Sequence, residues 1–355
     1  MQAMFGETGF FSRCAKGGAF RRGVFLITLM AAAIGLCGCP VYVTVDLESQ
    51  SQTPDGQSWD NAYRTIQEGV NQAKILSTQE DKDAYVLVAK GTYAETVTMQ
   101  DRVSLVGSLN GDEIIGTTAI TTGCDIVNHP TIISGASGSS RTISGANDAE
   151  LTGVEIRGAG MINDGVSPTV KGCRFYNNNA QYVGNLGGAV LNTNGAEPFF
   201  VSCLFTNNTA AQGGAIYNNA SNAVIANCTV MNNRTTNTGS AASANVSSAP
   251  IICNTLAWAN NAPRGSMAAD ALSAPDVAYS DIQGWTGNPS GHNLNVDPLL
   301  DADLRPVVRR EGAVITRSPC FDAGCTSWPG VSLFYYDYTK VTRPTGFSYD
   351  IGALE

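Results

Sequence analysis

Two stretches of the chain gather carboxylates beside arginine. Asp148, Glu150 and Glu155 lie with Arg141 and Arg157, and Asp297, Asp301 and Asp303 lie with Arg305. Ca2+ takes about six to eight oxygen ligands, usually from several carboxylates, and a neighbouring arginine can act as the base of a β-elimination. Closely placed carboxylates would instead suit hydrolysis of a glycosidic bond. Glu155 and Arg157 share a face if this segment is a strand, because side chains alternate with a period of two. The plainer use of such charges is at solvated turns. His129 precedes a proline and His292 lies among Gly, Asn and Pro; neither belongs to a Ser or Cys nucleophile arrangement. No phosphate loop or dinucleotide fingerprint occurs.

The ten cysteines are the other reactive set. Cys173, Cys203, Cys228 and Cys253 fall at steps of 30, 25 and 25 residues. Equivalent positions in stacked coils make them a ladder of buried, reduced thiols packed as small apolar groups. Neighbouring coils also bring them within bridging distance, which leaves pairing open. Cys320 and Cys325 lie in a Gly-containing segment near the C-terminus and are expected to form a small disulfide there. Their spacing does not suit zinc.

The elements that must position these residues follow from an internal repeat. Gly187-Gly188-Ala189-Val190-Leu191-Asn192 precedes Cys203-Leu204-Phe205-Thr206-Asn207-Asn208; one unit on, Gly213-Gly214-Ala215-Ile216-Tyr217-Asn218 precedes Cys228-Thr229-Val230-Met231-Asn232-Asn233. A period of this size means a stacked architecture. The apolar runs are short and broken by Asn, Gly and Ser, and no amphipathic helical pattern occurs between 90 and 290. The expected fold is all-β: a single-stranded, right-handed parallel β-helix. Cys228 and Val230 point inward and Thr229 outward. Asn at the bends hydrogen-bonds to its image one coil away, and Gly-Gly marks a corner. Ten or so coils between 85 and 300 would make a rod of roughly 50 Å. Residues 58–77 read as a capping helix with an apolar stripe of Ala62, Ile66, Gly69, Val70 and Ala73. The divisions are 1–39 signal segment, 40–84 N-terminal strand and cap, 85–300 coils, and 301–355 an irregular C-terminal cap in which Asp322 and Asp350 pair with Arg343. Residues 236–249 read as a ragged coil.

The repeat resembles that of polymorphic outer-membrane proteins and, more broadly, bacterial surface β-helices of the pectin-lyase-like superfamily. Asp55-Gly56-Gln57-Ser58-Trp59-Asp60-Asn61-Ala62-Tyr63 and Val88-Ala89-Lys90-Gly91-Thr92-Tyr93 resemble the opening segments of choice-of-anchor Q domain proteins. Tyr279–Gly284, Asp297-Pro298-Leu299, Ser318–Gly324 and Asp350–Glu355 resemble their closing segments. The resemblance implies the fold across 41–355 and is nearly silent on activity. Trp258 and Trp285 fall in matching segments and are expected to pack, while Tyr182 and Tyr217 are further sugar-stacking candidates.

Residues 1–39 carry Arg13, Lys16, Arg21 and Arg22, then an apolar run from Val24 to Leu36 too short to span a membrane comfortably. Leu36-Cys37-Gly38-Cys39 resembles a lipobox with Cys39 as the lipidated residue, the expected membrane anchor. The net charge of −9 and a charged fraction of only 14% exclude a basic nucleic-acid stripe. The expectation is an exported outer-membrane or cell-surface lipoprotein that presents a rigid face for adhesion, glycan contact or envelope structure, without catalysis. Its partners would be an extracellular polysaccharide or an envelope protein. The alternative is a polysaccharide lyase or glycoside hydrolase acting on an extracellular polymer. No cofactor is expected, Ca2+ at the acidic stretches being the one candidate.

Overall fold

The computed structural model describes residues 40–116, 124–135, 140–237, 239–262, 267–269, 273–287, 291–311, 314–329, 331, 333, 336–343, 346 and 348–354. The signal segment and Cys39 lie outside the described residues. The chain winds as a parallel β-helix whose three parallel sheets hold nine, eight and seven strands. One coil comprises Phe199–Val201, Leu204–Thr206 and Ile216–Asn219; the next comprises Val224–Ala226, Thr229–Met231 and Ser243–Val246. Register is one to one, with Phe200 on Ile225, Phe205 on Val230 and Ile216 on Ser243. Residues 243–246 are thus a regular rung, where the Ser/Ala/Asn-rich composition had suggested a ragged one. Nine strands in the first sheet make eight steps, so the stack is about 38 Å long at ~4.8 Å per step. It is shorter than expected because several coils take 25 to 30 residues.

Alternation drives the packing. Every second residue of a strand points into the lumen, and the same position in the next coil stacks on it. In the first sheet Leu151, Val170, Phe200, Ile225, Ile252 and Val277 form one continuous apolar row. In the second sheet Ile156, Phe175, Phe205 and Val230 form another. The mid-rod lumen is filled by aromatics. Phe175 and Phe205 stack at 4.9 Å between ring centres, and Phe200 meets both edge-on at 6.3 and 5.7 Å.

The corners explain the Asn and Gly content. In Asn177-Asn178, Asn207-Asn208 and Asn232-Asn233 the first residue takes a left-handed backbone, with φ of 55°, 60° and 57°. The second turns its amide into a buried ladder. Asn178 Nδ2 donates to Asn208 Oδ1 at 2.9 Å, Asn208 to Asn233 at 2.9 Å, and Asn233 to Asn260 at 3.0 Å. A second ladder runs Asn163, Asn192, Asn218, Asn245 at 2.8, 2.7 and 2.8 Å. The expectation that Asn bonds to its own image therefore holds. So does the glycine corner: Gly213 has φ of 60°, and a Cβ on Gly188 would lie 2.1 Å from the Gly214 carbonyl oxygen.

The thiol ladder needs correction at its last member. Cys173, Cys203 and Cys228 are buried free thiols in the lumen. Each donates to the carbonyl two residues back, at 3.3, 3.3 and 3.2 Å. The next coil fills that position with Thr255, 27 residues on, and the one after with Ser280; their hydroxyls make the same bond at 2.9 Å each. Cys253 is two residues out of frame. It pairs with Ala226, faces outward, and lies in a separate cluster with Val201 and Ala226.

At the N-terminal end the helix is Ile66–Glu80, starting eight residues later than the expected 58–77; Trp59–Asn61 is a single 3-10 turn. Thr65 caps it by accepting from the Glu68 N–H at 3.3 Å, and the Glu95 carboxylate accepts from the Ile66 and Gln67 N–H groups at 2.8 and 2.9 Å. These two acceptors satisfy donors that the first helical turn leaves open. Ile66, Val70 and Ala73 cover the lumen mouth. Gly69 lets the helix sit close, since a Cβ there would lie 2.4 Å from Val45 Cγ2. No helix among the described residues is long and apolar enough to cross a membrane.

Candidate functional site

The outward row of the second sheet places Glu155, Arg174, Leu204, Thr229, Leu256 and Asp281 in register along the rod. Chain after 300 folds back over most of it. Leu204 packs with Tyr338, Ala353 and Leu354, and Leu256 with Cys320 and Ile351. The Ala353 N–H donates to Thr229 Oγ1 at 2.9 Å. Thr229 therefore points outward as expected but is buried by this covering segment. The cover stops short of Arg174. There a cleft of about 340 Å3 opens between the sheet and the returning chain, lined among others by Arg174, Leu204, Asp303, Arg305, Tyr338 and Thr339.

Arg174 lines the cleft on the sheet side. Its guanidinium lies 4.2 Å from the centre of the Tyr176 ring and bonds Glu155 Oε2 at 3.4 Å through Nη1. Glu155 is buried and also pairs with Arg157, whose guanidinium shares the Tyr176 ring at 5.3 Å. Nε of Arg174 is buried with no partner. Across the cleft Arg305 donates to Thr339 Oγ1 at 2.9 Å and lies 3.8 Å from the buried Asp337 carboxylate. Burial pushes the Tyr338 phenol up, so it stays a neutral donor. The site is thus a pair of planar cations held in place by buried carboxylates, with Asp303 exposed at the rim. Such an arrangement suits hydrogen bonding to polar oxygens.

The two acidic groups of the sequence do not form as groups. Asp148 sits exposed in a left-handed turn, and Glu150, on the first sheet, pairs with Lys171 at 2.7 Å. Glu155 belongs to the second sheet. Arg141 is buried away from all three, donating to the carbonyls of Ala159, Gly187, Val183 and Leu186; burial lowers it to about 10. Asp297 and Asp301 accept main-chain N–H bonds of their own turns, from Leu299, and from Asp303 and Arg305, at 2.9 Å each. Turn chemistry, not convergence, accounts for both. Among the described residues no group of three or more His, Cys, Asp or Glu side chains is placed to hold a metal ion. One carboxylate of each stretch does reach the cleft region: Glu155 behind Arg174, and Asp303 at the rim.

Other expectations resolve individually. Trp258 packs beside Met231 and Leu256, and Trp285 against the end of the lumen core. Tyr217 is buried and Tyr182 is 65% exposed. Cys320 and Cys325, expected as a bridge, are not bonded to each other in the structure. They lie on different sheets' surfaces: Cys320 meets the second-sheet row, while Cys325 reaches Asn254 at the corner of the first. Arg343 is buried and donates to the carbonyls of Asp350 and Gly352, while Asp350 Oδ1 accepts from the Asp322 N–H.

Asp281 closes the covered row and gives a pH test. It is fully buried and accepts from the Val296 N–H at 3.2 Å and from the Cys320 thiol at 3.6 Å. Burial raises its carboxyl to about 6, against the opposing pull of those two donors. The unfolded value is near 4, so the folded state binds the proton more tightly. Stability therefore falls as pH rises from about 4 to about 6, then levels off. Asp281→Asn should remove that fall and leave the protein on the order of 2 kcal/mol more stable than wild type at pH 7, with no gain at pH 4. Urea unfolding at the two pH values checks this; an equal effect at both would refute it.

No protein-family model matches the chain, and no curated protein matches it.

Proposed function

We propose that the protein is a non-catalytic surface module that uses the cleft beside Arg174 to hold an extracellular glycan or an envelope partner. The reading extends to the finer kinship and location: a choice-of-anchor Q-type, pectin-lyase-like β-helix of the cell surface or outer membrane, tethered by lipid at Cys39. The observation that carries it is the state of the carboxylates. Glu150 and Glu155 are held in ion pairs, and Asp297 and Asp301 accept bonds from their own turns, so these side chains support the fold. Arg174 lines the cleft, where its guanidinium is held by Glu155 and the Tyr176 ring.

The alternative is a lyase or hydrolase, and it draws on the same cleft, where Asp303 and two arginines meet. One assay separates the two. Protein spanning 41–355 is presented with a panel of polysaccharides, with and without Ca2+, and scored for unsaturated products, reducing ends and retention. The expected result is retention without products, weakened roughly ten- to a hundredfold by Arg174→Ala, the effect of losing hydrogen bonds to a charged group. Product formation abolished by a chelator would overturn the non-catalytic reading. Retention unchanged in Arg174→Ala would remove the cleft from it.

A further inference from the structure

The C-terminal segment passes from the second sheet to the first between Cys320 and Trp328 before returning by Tyr338, and the outward passage brings two cysteines to the same corner. Cys253 ends its strand with its side chain on the outer face, wholly buried in a cluster with Val201 and Ala226 against which Trp328, Val331 and Leu333 pack. Its neighbour Asn254 takes a left-handed backbone, with φ of 48°. The Asn254 amide clamps Cys325 from both sides: Nδ2 donates to the Cys325 carbonyl at 2.8 Å, and Oδ1 accepts the Cys325 N–H at 2.8 Å. From Cys325 the chain runs on to Trp328, which packs against the cluster that holds Cys253. Cys325 is only partly buried, so a solvent oxidant can reach it. Each thiol is otherwise without a role in the lumen packing, unlike Cys173, Cys203 and Cys228.

We propose that Cys253 and Cys325 are a disulfide-forming pair that staples the C-terminal segment to the rod. The reaction is thiol–disulfide exchange with an oxidised dithiol catalyst or a small disulfide. The Cys325 thiolate attacks one sulfur of the oxidant, releasing one thiol and leaving a mixed disulfide on Cys325. The Cys253 sulfur then attacks Cys325 Sγ and expels the second thiol. Two protein thiols lose two electrons and two protons, and one oxidant disulfide becomes two thiols. The thiols also act on each other electrostatically, since the nearby Cys325 adds to the burial that pushes Cys253 up. That same burial keeps the pair reduced until an oxidant is supplied. The occurrence of the bond in the cell rests on the proposed export, because disulfides persist in oxidising compartments.

The test uses the folded, purified chain, reduced and then incubated with oxidised glutathione. Proteolysis without reduction and mass spectrometry should find the Cys253 and Cys325 peptides joined. Closing a loop of this length should raise the thermal midpoint by about 5–10 °C relative to the reduced protein, and Cys325→Ser and Cys253→Ser should each abolish that rise. A Cys320–Cys325 linkage, a glutathione adduct persisting on Cys325, or both thiols still free would overturn the pairing. Protein recovered from the producing cell under alkylating conditions tests the other half. A bond that forms in the purified protein but is absent there would overturn export and leave the pairing standing.

Discussion

Asn208→Leu should destabilise the protein by about 3–6 kcal/mol, a large fraction of the ~5–15 kcal/mol that holds most folds together. The side chain is fully buried and makes four bonds. Its Oδ1 accepts from the Asn178 main-chain N–H at 3.0 Å and from Asn178 Nδ2 at 2.9 Å, and its Nδ2 donates to the Phe175 carbonyl at 3.0 Å and to Asn233 Oδ1 at 2.9 Å. Leucine has the same branching and the same number of side-chain heavy atoms but bulkier groups, so the loss reports polar groups left unpaired and some overpacking, not a cavity. Each buried donor or acceptor so orphaned costs about 1–3 kcal/mol. The midpoint of urea unfolding should fall accordingly with little change in slope. A shift under 1 kcal/mol would mean that water enters the corner and replaces the ladder.

Phe205→Ala should have a comparable effect by a different route. Phe205 is fully buried, stacks on Phe175 and meets Phe200 edge-on. Truncation removes the ring and leaves a void in a lumen whose walls are main-chain ladders that cannot collapse inward. Such changes cost about 3–5 kcal/mol, to which the lost ring pair adds roughly 1 kcal/mol. Phe205→Leu, which keeps most of the volume, should lose less than half as much. Chemical denaturation of the two variants decides the point, because equal losses would place the energy in the aromatic pairing and not in the filling of space.

How far the sequence discloses this molecule depends on whether a residue sits inside the repeat. The rungs from Val190 to Trp258 are legible because period-two alternation and Asn-Asn bends recur in one frame. The misplacement of Cys253 shows the limit of matching letters. The position demands a small side chain that donates to the carbonyl two residues back, and Thr255 and Ser280 meet that demand as well as cysteine does. The helix start is signalled by Thr65-Ile66-Gln67-Glu68, a capping-box pattern, although the apolar stripe continues upstream to Ala62. Arg174 was also within reach. It occupies the outward slot that holds Leu204 and Thr229 in the following coils, next to Glu155 in the coil before, so two opposite charges stack in one row. What no periodicity discloses is its company. Arg305, Tyr338 and Thr339 come from aperiodic chain more than a hundred residues later, and their placement is decided by which outward row the tail can cover.

That tail has a consequence for how such a protein can change length. Both amide ladders run in one direction, each Nδ2 pointing toward the next coil. A copied coil would therefore match its neighbours on either side, and duplication is the natural way for the rod to lengthen. The returning chain restricts where. It is fastened to Leu204, to Thr229, to Asn254 and to Asp281, which lie on four successive coils. A coil inserted among these would pull the fastenings out of step, whereas one inserted nearer the helix end would leave them untouched. The tail acts as a ruler: it fixes the number of coils beneath it, and inheritance is free to vary only the part it does not measure.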